Sequence, residues 1–350
     1  MNDIAEELGR SPELFPFALD LAGDKMAFIR LSRSDYERAS FLDARLLSPQ
    51  TSNRSLPWQQ VAAAIDAAQL LERCAFIFHI GHVGSTLLSR LIGSHSGAFS
   101  LREPALLRTF AQLTDREAHA RPWRDEDLDA RLTGCLKLLS RTFESHQLPV
   151  VKATSFVSEL AVSLLSRASQ PKALMMYVSP ESYMATILGG PNSRQEAKML
   201  APSRLQRLQR RIGTEAWQLA SLSEGEVLAL SWACEMSALG QAAKCGDRRV
   251  FWVNFDQLLA APETVLSAVL AHFGMPGSAN EVRTIIEGPD LRRYSKAPEH
   301  GYDAALRRDV LNMARATHGA EIARGLAWLD RAAGQFAVVR DAGHMLSNAR

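Results

Sequence analysis

One stretch constrains this chain more than any other: Phe76-Ile77-Phe78-His79-Ile80-Gly81-His82-Val83-Gly84-Ser85-Thr86-Leu87-Leu88-Ser89-Arg90-Leu91-Ile92-Gly93. It opens as an apolar run with the length and composition of a buried strand. It turns through two glycines and two hydroxyl residues. It then places Leu87, Leu88, Leu91 and Ile92 at the spacing of one helix face. A strand, a glycine turn and a helix start predict an anion cradle, where free backbone N–H groups and the positive end of the helix dipole converge. Gly81 and Gly84 let the backbone come close to a phosphate, and Ser85 and Thr86 add hydroxyl donors. The plainer reading is a buried strand followed by a Ser/Thr-capped helix.

The rest of the chain supports an α/β protein built around that stretch. Residues 98–104 read as a second strand ending in Arg102-Glu103-Pro104, and residues 148–154 as a third that closes on Lys152. Residues 171–180 and 249–256 read as two more. The intervening segments 105–147, 155–168 and 213–240 carry helical patterns, the first with a polar break at 115–129. Alternating strands and helices predict a doubly wound parallel sheet, whose ligands collect at the carboxyl ends of the strands. Glu103 would then stand near the cradle, or else be a surface carboxylate paired with Arg102. A lysine at the end of an apolar strand needs an anionic partner or must snorkel to water.

Residues 1–70 form an N-terminal segment. In it, 25–31 alternates as a strand, 34–47 is helical or irregular, 51–57 is a polar loop and 58–73 has a helical pattern. Whether this segment caps the site or pads the sheet edge is left open by the sequence. Residues 189–211 begin Gly-Gly-Pro and carry Arg194, Lys198, Arg204, Arg207, Arg210 and Arg211. They read as a basic lid-like segment over an anionic ligand, or as a solvated helix face. A loop with Leu291-Arg292-Arg293-Tyr294-Ser295-Lys296 leads into a long helical pattern over 303–333.

Composition narrows the class. A formal net charge of +2 is too small to argue for nucleic acid. Cys74, Cys135, Cys234 and Cys245 are scattered, without metal spacing, and read as reduced core residues. No apolar run reaches membrane-spanning length and the start of the chain lacks a signal-peptide core. A protein of the cytoplasm, with no metal and no membrane or nucleic-acid partner, is the expectation.

Four segments, in order, resemble the sulfotransferases that use 3′-phosphoadenosine 5′-phosphosulfate (PAPS). Gly81-His82-Val83-Gly84-Ser85-Thr86-Leu87-Leu88 resembles the family's 5′-phosphosulfate loop in its bacterial and tyrosylprotein-type form. Leu101-Arg102-Glu103-Pro104 resembles the segment bearing that form's catalytic glutamate, and Val150-Val151-Lys152 its lysine-bearing strand. Val253-Asn254-Phe255-Asp256-Gln257-Leu258-Leu259 with Pro262 resembles a late strand and helix of the fold. The resemblance spans residues 75–275. It implies a three-layer P-loop-type α/β domain over residues 71–350, with a central parallel sheet flanked by helices, plus the N-terminal segment and helical insertions.

By the same resemblance, Gly81, His82, Val83, Gly84, Ser85 and Thr86 hold the donor's phosphosulfate. Glu103 is the general base, and Lys152 and His82 neutralise charge on the leaving group. PAPS is the co-substrate and a small molecule the acceptor. His82 stands where the family commonly has Lys or Arg. The positions that hold the donor's 3′-phosphate align with Val178 and Thr186, so the hydroxyl is kept and the arginine is lost. Arg194, Arg292, Arg293 or Lys296 would replace it. Two rival readings remain: a catalytically silent binding protein of this fold, and a kinase or NTPase whose Walker B strand ends in Asp256. The second lacks the lysine that a triphosphate loop has just before Ser85.

Overall fold

The computed structural model describes residues 6–9, 11–48, 51–116, 118–292 and 304–348. Five strands form the central sheet: β4 (Ala75–His79), β5 (Ala98–Arg102), β6 (Leu148–Lys152), β7 (Ala173–Tyr177) and β8 (Val250–Asn254). Their order is β5-β6-β4-β7-β8, and every neighbouring pair is parallel. The α/β architecture expected from the alternating pattern is the one observed. Phe76, Ile77, Phe78, Val150, Val151, Leu174 and Met175 are all buried. A parallel strand covered by helices on both faces has no polar side to show, which is why these segments read as unbroken apolar runs. Phe76 and Phe78 stack with their rings 5.5 Å apart, and each such side chain contributes about 1.5–3 kcal/mol by leaving water.

The connections explain where a ligand can sit. From β4 the chain passes β6 to reach β5, whereas from β7 it steps outward to β8. The crossovers therefore diverge at the β4–β7 boundary. At such a switch point the carboxyl ends of the strands are left uncovered. Among the described residues, no helix is long and apolar enough to cross a membrane.

The N-terminal segment forms a second, antiparallel sheet in the order β1-β2-β3, from Leu14–Asp20, Lys25–Arg30 and Asn53–Pro57. It packs on the helices Ala105–Asp115 and Asp125–Leu139. The loop expected at 51–57 is thus corrected to strand β3. Only Leu56 of that strand is buried, so an edge strand with one inward residue shows no alternation to read.

Three further expectations are corrected. Residues 155–168 are not one amphipathic helix but a 3-10 turn, Ser155–Leu160, followed by a short helix, Ala161–Leu165. Serine, β-branched and aromatic residues in its first turn favour helix weakly. The helix expected from 213 begins only at Glu224. Gly213, left-handed at φ 77, stops the preceding helix, and a capping box between Ser223 and Glu226 starts the next. Cys74, Cys135 and Cys234 are buried as expected, but Cys245 is exposed.

Candidate active site

The loop between β4 and the helix Ser85–Gly93 is held open by unusual backbone. Gly81, His82 and Gly84 all have positive φ, at 83, 55 and 63. A left-handed residue other than glycine costs about 1–2 kcal/mol, so the strain at His82 marks a shape the surroundings impose. His79 is part of what imposes it. The Gly81 amide donates to His79 Nδ1 at 3.0 Å, which makes Nδ1 the acceptor. Nε2 therefore carries the ring proton and donates to the Ala153 carbonyl at 2.9 Å. One imidazole ties the end of β4 to the end of β6.

That bond occupies the Gly81 amide, so Gly81 shapes the loop and offers no free N–H. Gly84 keeps its free amide and has a packing role besides. A Cβ there would fall 2.0 Å from the Phe255 ring, whereas at Gly81 the nearest atom, Ser155 Oγ, is 3.8 Å away. Phe255 packs on the Cα face of Gly84, whereas a Cβ at Gly81 would meet Ser155 only at ordinary contact distance. Gly84 also caps the helix without a side-chain hydrogen bond. Among the described residues, none accepts a hydrogen bond from the amides of Val83, Gly84, Ser85 or Thr86. These orphan donors at a helix N-terminus are the cradle.

Lys152 and Glu103 meet beside it. Lys152 ends β6 and Glu103 directly follows the adjacent β5, whose last residue, Arg102, is in register with Lys152. The Glu103 amide donates to the Lys152 carbonyl at 2.6 Å, and the Lys152 ammonium is ion-paired with the Glu103 carboxylate. The Lys152 side chain is 1% exposed and that of Glu103 13%. Lys152 Nζ also donates to Thr86 Oγ1 at 3.3 Å, which joins the pair to the first turn of the cradle helix. Glu103 itself has positive φ, 53. The snorkelling reading of Lys152 and the Arg102-paired reading of Glu103 both fail here. Arg102 turns the other way and donates to the carbonyls of Ala39 at 2.7 Å, Glu37 at 3.2 Å and Tyr36. Burial, and then the nearby Arg90, push its guanidinium down to about 10.

His82 reaches toward the helix Pro191–Ile212, with Nε2 3.5 Å from Glu196 Oε2. The remaining expected donor-binding residues are not gathered at the loop. Thr186 Oγ1 donates to the Ser182 carbonyl of its own helix at 2.7 Å. Arg194 forms a fork with Glu224, its Nε 3.0 Å from Oε1. Arg293 and Lys296 lie outside the described residues. The basic segment is also corrected. Arg204 and Arg207 are buried on Glu235, at 3.0 and 3.2 Å, and Arg207 reaches Glu159 at 2.8 Å. Arg211 pairs with Glu159 as well. These arginines fasten the helix to the body and are not a solvated face.

Sequence reasoning missed one part of the site. Residues 39–46 of the N-terminal segment are stitched to it: the Leu42 amide donates to the Arg102 carbonyl at 2.7 Å, and the Ala105 amide to the Leu42 carbonyl at 3.1 Å. This brings the Phe41 ring to 5.6 Å from Lys152 Nζ. Asp256, which follows the last strand, is ion-paired: its Oδ1 accepts from Arg307 Nε at 3.0 Å and from Nη2 at 2.9 Å.

No protein-family model matches the chain, and no curated protein matches it. Among solved structures, it is similar to the sulfotransferase domain from the curacin biosynthetic pathway, at 16% identity. That likeness covers 71% of this chain and 98% of that one, with a TM-score of 0.40. It is also similar to the sulfotransferase STF9 from Mycobacterium avium, at 13% identity over 90% and 96% of the two chains, with a TM-score of 0.38. Likeness this distant says nothing of what the chain binds or does, which has to come from the residues of the site.

Proposed function

We propose that this chain is a sulfotransferase that moves a sulfuryl group from PAPS to a hydroxyl or amine of a small acceptor. One observation carries the reading: a buried ammonium and a carboxylate, ion-paired, stand beside orphan amides at a helix N-terminus. The donor would supply the sulfuryl group and a stable nucleotide leaving group. The amides of 83–86 and the helix end would hold its negative charge without a phosphate-loop lysine. Lys152 and His82 would balance charge that builds on the leaving oxygen, and Glu103 would take the acceptor's proton. General-base help of that kind is worth about 10²–10⁴-fold. The Lys152–Glu103 pair is then a resting arrangement. An arriving anion gives Lys152 a second partner and leaves Glu103 free to accept a proton.

Thermal shift with adenosine 3′,5′-bisphosphate, against ATP with Mg²⁺, tests the binding half. Transfer of ³⁵S from labelled PAPS into a mixture of phenols, alcohols and amines tests the chemical half. Stabilisation by the bisphosphate with label transfer supports the proposal. Stabilisation by ATP and Mg²⁺ alone would replace it with a kinase or NTPase, and nucleotide binding without transfer would leave a silent binding protein.

A further inference from the structure

We propose that Phe41 is a positioning residue, an apolar cover that keeps water off the Lys152–Glu103 pair. The shield rests on geometry alone; its consequence for the reaction rests on the sulfuryl-transfer reading above. Lys152 closes β6 at the carboxyl end of the sheet, where the strands stop, yet its side chain is only 1% exposed. An ammonium there is shielded by what lies over it, and the Phe41 ring lies 5.6 Å from Nζ, within cation–π range.

The ring is itself packed by a braced side chain. The Arg45 guanidinium carbon stacks 3.4 Å from the Phe41 ring centroid. Arg45 is braced in turn by Asp43, with Nε 2.8 Å from Oδ1 and 3.1 Å from Oδ2. The backbone of this turn is fixed from below. Arg102 clamps the Ala39 carbonyl at 2.7 Å, and the Leu42 main chain pairs with Arg102 and Ala105. The same dipeptide, Arg102-Glu103, thus supplies the carboxylate of the pair and the anchor of its cover.

A dry pair matters because water is itself a sulfuryl acceptor. If water reached the donor, its oxygen would bond to sulfur and the sulfur–oxygen bond to the 5′-phosphate would break. The electron pair would leave with adenosine 3′,5′-bisphosphate, the proton would pass to Glu103, and inorganic sulfate would result. Excluding that side reaction is what an apolar cover over the pair contributes.

The test uses the full chain and two readouts. The first needs no nucleotide: the rate at which acetic anhydride acylates Lys152, followed by peptide mass spectrometry. The second is sulfate release from PAPS with no acceptor present. In Phe41→Ala both rates should rise about tenfold, while adenosine 3′,5′-bisphosphate affinity stays within about twofold. Phe41→Leu restores apolar bulk, should keep both rates near wild type, and covers the case in which the alanine variant folds poorly. If Lys152 is acylated no faster in Phe41→Ala, or as fast in Phe41→Leu as in Phe41→Ala, the cover is refuted. If acylation rises but neither protein binds or cleaves PAPS, the cover stands and the sulfuryl-transfer reading falls.

Discussion

Glu103→Gln separates charge from shape in the candidate site. The amide can still accept one hydrogen bond from Lys152, so what is lost is the counter-charge of an ammonium that is 1% exposed. Breaking a buried pair by removing one partner costs about 3–5 kcal/mol. The 13% exposure of the Glu103 side chain lets water approach once the carboxylate is gone. The expected loss of stability is therefore near the lower end, about 3 kcal/mol. Nucleotide affinity should move the opposite way. In the wild type an incoming phosphate competes with Glu103 for Lys152; in the variant it does not. Adenosine 3′,5′-bisphosphate should bind about tenfold more tightly, ~1.4 kcal/mol, while turnover of PAPS falls about 10²–10⁴-fold. Urea unfolding, titration calorimetry and ³⁵S transfer read the three quantities. A variant as stable as the wild type that binds the nucleotide no more tightly would show that the pair is not coupled to the cradle.

Other perturbations have equally definite signs. Lys152→Ala should lower both nucleotide affinity and turnover, the latter by at least about 10²-fold, in the same assays. Gly84→Ala should destabilise by about 1–3 kcal/mol from the clash with Phe255, beyond the left-handed cost of about 1–2 kcal/mol that is all Gly81→Ala should show; urea midpoints of the two variants check the order. Glu235→Gln should cost about 3–5 kcal/mol, because buried Arg204 would lose its carboxylate partner while Arg207 would keep only Glu159. The Glu321 carboxyl lies below its ordinary value of 4.5, held there first by the Gly225 amide and then by Arg324. A carboxylate with a lowered folded-state pKa adds stability above the unfolded value and loses it as pH falls through the folded one. The melting temperature of the wild type should therefore drop more steeply than that of Glu321→Gln below about pH 4.5.

The sheet and the loop were legible because both are local. Apolar runs of strand length, each followed by a helix, place β4 to β8 without long-range information. Glu103 and Lys152 stood out as charges closing apolar strands, and the register of β5 on β6 brings them together. Phe41 and Arg45 gave no signal of their own. Their position depends on carbonyls of 36–39 that a buried Arg102 captures from far along the chain. The arginines of the 191–212 helix misled for the same reason: the carboxylate that buries Arg204 and Arg207 is on another helix. Gly84 has a further role with no local signal, since Phe255, far along the chain, packs against its bare Cα.

The central claim is that amides between β4 and its helix, with Lys152 beside them, grip a sulfonated nucleotide. A crystal structure of the full chain with saturating adenosine 3′,5′-bisphosphate tests it most directly. The expected result is a 5′-phosphate on the amides of Ser85 and Thr86, with the Lys152 ammonium turned from Glu103 toward it. A nucleotide seated elsewhere, or a loop left empty with Lys152 still on Glu103, would contradict the account.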